Sequence, residues 1–212
     1  ASLTYVGTEK REYWRRIYDV RRIRPLWLLA IVLIPPALVV AGSVLSWLVT
    51  GNMAELTELL QPAEFTLVGL LFSVVFAPFL EEMAWRGYAL VELQKRYSAI
   101  ISGLFLGLMW AVWHLPLFFI PGTYQYELGL LTLPFWQFMF AAVGGSVTIT
   151  WIFNNTGYST LAAILYHAMW NLAGMVFHTN VLSDVFYVVV LFGLALAVVL
   201  RFGGRTLTGR KK

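Results

Sequence analysis

An all-α, polytopic integral membrane bundle of about six transmembrane helices is the fold class this sequence predicts, and three observations predict it. The 212 residues are 59% hydrophobic and 12% charged, with a mean hydropathy of +0.73. Soluble domains are about half apolar and a quarter charged. The apolar residues fall into runs that approach the ~20 residues a membrane helix needs. The charges lie mostly between those runs rather than across them.

In order, the runs cover residues 26–49, 65–80, 97–120, 128–153, 158–177 and 181–200. The second is short until it continues through the charged segment from Glu81 to Arg86. That continuation is expected to stay helical at the membrane edge, with Pro78 kinking it just before the glutamates. Seven of the fifteen Lys and Arg precede the first run (Lys10, Arg11, Arg15, Arg16, Arg21, Arg22, Arg24) and five follow the last (Arg201, Arg205, Arg210, Lys211, Lys212). Threading six spans places Arg86, Lys95 and Arg96 on that same side. Glu55, Glu58, Glu64 and Glu127 fall on the other, without a single base. By the positive-inside rule the basic side is cytoplasmic, so the expected location is the cell membrane with both termini in the cytoplasm.

The net charge of +4 thus reads as topology and not as nucleic-acid binding. The chain opens on Ala1 rather than Met, as a boundary or a processed end would leave it. The basic stretch before Leu26 is too long and aromatic for a signal peptide. Residues 8–23 interleave bases with Tyr13, Trp14, Ile17, Tyr18 and Val20, which suits either an amphipathic helix on an anionic leaflet or a solvated tail. Without a repeat or linker, the expected division is a basic juxtamembrane segment (1–25), a membrane-embedded domain (26–201) and a basic cytoplasmic tail (202–212). Gly103 and Gly107 permit close helix packing within or between chains, which leaves the oligomeric state open.

Ionisable groups inside membrane spans are costly and point to function. Glu82 and Arg86 are spaced i, i+4, so one helical face can pair them, while Glu81 projects about 100° away and is left over. An interfacial salt-bridge lattice explains the same three residues. His114 sits one turn after Trp110; alone it serves equally as a hydrogen-bonded packing residue. His167 and Asn171, again i, i+4, present two polar heads to one place, although interhelical hydrogen bonding competes as an explanation. His178, Asn180 and Asp184 read as a structural cluster at the outer boundary, and Asn154 and Asn155 as loop chemistry.

A carboxylate, two imidazoles and an amide are the parts needed for hydrolysis of an amide by water. There is no Cys, no HExxH zinc helix and no GxSxG elbow. Asp19 and Asp184 are too far apart in the chain to form a catalytic pair. A small transporter or proton relay also uses intramembrane Glu and His, but no inverted repeat supports that reading.

These motifs resemble the CPBP or Abi family of intramembrane proteases, which includes the Rce1-type enzymes that cleave prenylated CAAX proteins. Glu81, Glu82, Arg86 and Gly87 match EExxxR, Trp110 to His114 matches FxxxH with Trp in place of Phe, and His167 to Asn171 matches HxxxN, all in the family's order. The resemblance implies a protease domain over 26–201 with Glu81 as general base, His114 as its partner in activating water, and His167 with Asn171 as the oxyanion site. It implies Glu82, Arg86 and Trp110 as supporting residues and a membrane-associated protein or peptide as substrate. No cofactor is expected. The alternative is a divalent metal such as zinc on Glu81, His114 and His167, against which stands Asn171, an uncommon zinc ligand but a good oxyanion donor. The competing class of function is a non-catalytic scaffold or immunity-type protein that binds another membrane protein.

Overall fold

The computed structural model describes residues 5–61 and 65–208. Ala1, Glu64, Arg210, Lys211 and Lys212 lie outside the described residues. The chain is all helical, with no strand among the described residues. In order come α1 (Gly7–Tyr18), α2 (Pro25–Thr50), α3 (Leu67–Gln94), α4 (Ala99–His114), α5 (Leu133–Asn155), α6 (Thr160–Val176) and α7 (Val181–Phe202). Five helices are long and apolar enough to cross a membrane: α2, α3, α4 with its 3₁₀ continuation to Phe119, α5 and α7. The sixth expected span is a shorter apolar helix, the 17 residues of α6.

Polar residues at the starts of the runs fix the helix boundaries. Thr66, Ser98, Thr132, Ser159 and Asn180 each accept a backbone N–H of the first turn that follows, satisfying donors that a helix start leaves open. Hydropathy alone began the fourth span at 128. The structure begins α5 at Leu133, because Thr132 caps it after a separate short helix, Tyr124–Leu128.

α5 is the most enclosed of the spans and α3 the least, with 67% and 11% of their apolar windows buried. α4 lies close along α5: a Cβ on Gly107 would stand 2.8 Å from the Val143 Cα. The two small residues Gly103 and Gly107 thus serve packing within the chain, against Thr150, Val143 and Ser146 of α5.

Two elements add to what the sequence suggests. The second span continues as a helix through the glutamates, as expected, but runs further than the charged segment. α3 runs from Leu67 to Gln94, so Glu81, Glu82 and Arg86 sit in the middle of the helix and not at its end. Arg86 is fully buried and does not belong with the basic loops. The helix need not leave the membrane there, because Glu82 and Arg86 are paired inside the bundle. α3 carries two π-turns, residues 72–76 and 85–89. The first directly precedes Pro78, which has no N–H to continue the i→i−4 ladder.

The second element is α1. Tyr13 and Ile17 do not face lipid; with Tyr5 they are buried against Phe79, Met83 and Tyr88 of α3. The Tyr13 hydroxyl donates to the Met83 carbonyl, and Arg16 Nη2 to that of Gly87, both at 3.2 Å. An apolar stripe suits a protein groove as well as a bilayer, and these carbonyls beside the second π-turn give α1 polar partners that lipid tails cannot offer. Tyr18 and Val20 remain exposed.

The termini meet the loops 95–98 and 155–159 at one end. Arg22 Nη1 donates to Gly157 O at 2.6 Å. Ala99 and Ile100 donate their N–H groups to Arg205 O and Gly204 O at 2.9 and 3.0 Å. Asn154 exchanges hydrogen bonds with Gln94 and reaches Thr206 O, while Asn155 reaches Leu207 O. As the sequence suggested, this asparagine pair is structural.

Candidate active site

Four helices bring the polar residues of the spans together in mid-bundle. On α3, Arg86 Nη1 donates to Glu82 Oε1 at 2.9 Å with both side chains wholly buried, the pairing that the i, i+4 spacing predicts. Arg86 Nη2 reaches Ser146 Oγ of α5 at 3.0 Å. His167 Nδ1 of α6 meets the same Glu82 oxygen at 3.0 Å. Glu82 is thus committed on two sides, by a guanidinium and an imidazole.

Glu81 remains uncommitted to any cation. It is half-buried, and its Oε2 accepts the indole N–H of Trp110 at 2.7 Å. Trp110, only 5% exposed, is the centre about which the rest is arranged. The Arg86 guanidinium lies 5.3 Å from its ring centroid. The rings of His167, His114 and Trp170 lie edge-on to it at 5.0, 5.7 and 5.9 Å. Its carbonyl, 2.8 Å away, faces His114 Nδ1 at the last residue of α4. A carbonyl only accepts, so Nδ1 carries the proton and Nε2 of a neutral His114 is left with its lone pair.

By the same logic His167 donates from Nδ1 to Glu82, and its Nε2 bears a hydrogen only when the ring is protonated. Asn171 Nδ2, on the His167 face of α6, donates to Ser73 O within the first π-turn at 2.7 Å. A side-chain amide has a second N–H to offer.

The structure therefore brings together Glu81, Glu82, Arg86, Trp110, His114 and His167 around one indole, with Asn171 tied to α3 one turn further along α6. It differs from the expectation for His167, which pairs with Glu82 rather than standing alone beside Asn171. The sequence reading missed Ser73, Ser146 and Trp170. Only Trp170 left a signal, at i+3 from His167 on the face that carries the motif. Among the described residues no three His, Asp or Glu side chains form a group that could hold a metal ion.

His178, Asn180 and Asp184 stand apart at the other end of α6 and α7. Asn180 caps α7 through the N–H groups of Leu182 and Ser183, and its Nδ2 donates to Glu55 Oε2 at 2.5 Å. Ser183 Oγ donates to the same oxygen at 2.8 Å. Burial raises the Glu55 pKa, but these hydrogen bonds outweigh it and leave the carboxyl below its usual range.

Comparison with known proteins bears on the family of the chain. A family model described as type II CAAX prenyl endopeptidase Rce1-like matches residues 63–173, which span every residue of the cluster. The chain is 28% identical over 196 residues to CAAX prenyl protease 2 of Methanococcus maripaludis, covering 90% of this chain and 71% of that protein. With its matched region taking in just over half of the sequence, the chain belongs to the Rce1-like family of type II CAAX prenyl endopeptidases.

Proposed function

We propose that the protein is an intramembrane glutamic endopeptidase that hydrolyses a peptide bond of a membrane-associated, CAAX-type protein or peptide. The observation that carries this reading is the division of labour between adjacent carboxylates. Glu82 is sealed from solvent, its Oε1 taken by both Arg86 and His167 and its Oε2 buried without a partner, whereas Glu81 is only half-buried, pairs with no cation and has its Oε2 aimed by Trp110.

In the proposed reaction Glu81 takes a proton from water as the water oxygen bonds to the scissile carbonyl carbon. The lone pair on His114 Nε2 accepts the water's second hydrogen and orients it. The carbonyl becomes an oxyanion, which the free N–H of Asn171 and the Nε2–H of a protonated His167 stabilise. Glu82 balances that imidazolium. When the C–N bond breaks, Glu81 returns its proton to the departing amine, regenerating the carboxylate. No step needs a metal. The basic ends and the acidic ends of the spans support cytoplasmic termini and cleavage from that side, which a reporter fused at either terminus tests.

The test is cleavage of membrane-anchored CAAX peptides, prenylated and unprenylated, by purified protein with and without a strong chelator. Glu81→Gln is expected to cut turnover by about 10²–10⁴-fold and Asn171→Ala by about 10²–10³-fold, with no effect of chelation. Loss on chelation would move the chemistry to a metal. Full activity of Glu81→Gln would remove it from this site, and a silent, folded wild type would favour the scaffold.

A further inference from the structure

The indole of Trp170 on α6 occupies the space above Gly145 on α5. A Cβ added at Gly145 would fall inside the six-membered edge of that ring, so the seat exists only because residue 145 has no side chain. From this seat Trp170 stands edge-on to Trp110, their centroids 5.9 Å apart and their planes at 83°. Trp110 in turn holds Glu81 Oε2 at 2.7 Å. Hydrogen bonds weaken steeply once the donor tilts off line, so whatever fixes the plane of Trp110 fixes the aim of Glu81.

Resting on the assignment of Glu81 as the reacting carboxylate, we propose that Trp170, seated on Gly145, is a positioning residue for Glu81 that acts through Trp110. His167 and Arg86 brace Trp110 from other directions at 5.0 and 5.3 Å, but both are held by Glu82 and belong to the polar network. His114 lies edge-on to Trp110 at 5.7 Å from the same helix, and Trp170, itself hydrogen-bonded to Tyr187, supplies the buttress from α6, with Gly145 making room for it.

Two kinds of measurement test this. The first is turnover of the CAAX peptide by Gly145→Ala, Trp170→Phe and Trp110→Phe, singly and in pairs. Each single change is expected to lower kcat roughly tenfold with KM little altered, because the aim of the reacting carboxylate is lost and peptide binding is not. Since all three act on one hydrogen bond, the effects do not multiply. Gly145→Ala costs nothing further in the Trp170→Phe background, and Trp170→Phe costs nothing further in the Trp110→Phe background. Multiplying losses, or a Trp170→Phe protein with wild-type kcat, would overturn the proposal.

The second measurement needs no activity and so separates this proposal from the protease assignment. In ¹⁵N-tryptophan-labelled protein in micelles, the Trp110 indole N–H resonance, assigned by its loss in Trp110→Phe, is expected to be slow to exchange and shifted downfield. It moves back toward the free position in Gly145→Ala and Trp170→Phe. An unmoved resonance in both variants overturns the proposal even where cleavage falls. A moved resonance in a protein that cleaves nothing upholds the geometry and counts against the protease reading alone. Melting in detergent within a few degrees of wild type shows that each variant is folded.

Discussion

Glu82 Oε1 receives both Arg86 and His167 with no exposure to solvent, and that oxygen sets the energetics of the site. Removing one partner of a buried ion pair strands the other's charge and costs about 3–5 kcal/mol, whereas replacing both by apolar groups of similar volume is often neutral. Arg86→Met and Glu82→Leu are therefore each expected to lower the detergent melting temperature sharply. The double variant recovers much of the loss but stays inactive, since His167 has lost its counter-charge. A double variant as unstable as the singles, or one that cleaves, contradicts this account. The Glu82–Arg86 pair was legible because it is local to one helix, and so was the leftover Glu81. The bonds from Trp110 to Glu81 and from Asn171 to Ser73 span 29 and 98 residues. No periodicity within a single helix reports such contacts.

Among the elements, α3 departs furthest from what hydropathy suggests. Its charged middle looks like a boundary because composition counts charges without knowing whether they are paired. Its first π-turn follows from Pro78 only once the helix is known to continue through it. The first π-turn offers the Ser73 carbonyl to Asn171, and beside the second the Met83 and Gly87 carbonyls accept from α1. Such interruptions of the regular ladder are frequent at functional sites. Because α1 grips α3 through Arg16 and Tyr13, Arg16→Ala is expected to speed amide exchange in residues 83–90 and to expose α1 to limited proteolysis, with α5 unaffected. Unchanged exchange there would mean that α1 rides on the bundle without restraining it. Basic, aromatic α1 suits an amphipathic helix as well as a solvated tail, and its partner on α3 is not legible, since protein and lipid select the same stripe.

Across the whole molecule, the end opposite the termini is tied by Glu55 to Asn180 and Ser183. The Glu55 carboxyl titrates below its usual range, held there by those hydrogen bonds against the opposing pull of burial. A depressed folded-state pKa gives stability that is present above the unfolded value and lost as pH falls through the folded one. Glu55→Gln is expected to melt below wild type at neutral pH, with the gap closing as the medium is made more acid. A gap that stays constant with pH would show that the charge form of Glu55 does not matter. The bundle itself was legible from run lengths. The shorter α6 was read as a full span because apolar length in sequence includes residues that become caps and loops.

The length of α3 also sets how the bilayer can act on the protein. Its 28 residues would extend about 42 Å as an ideal helix, against a hydrocarbon core of about 30 Å. It is also the span least covered by its neighbours. A helix longer than the hydrocarbon core and little covered by its neighbours is free to change its lean, and this one carries Glu81 at its centre while Trp110 rides on a different helix. Membrane thickness therefore becomes a mechanical input to the site. Proteolytic rate in vesicles of increasing acyl-chain length is expected to pass through a maximum, and a flat profile would show that the lean of α3 and the aim of its carboxylate are uncoupled.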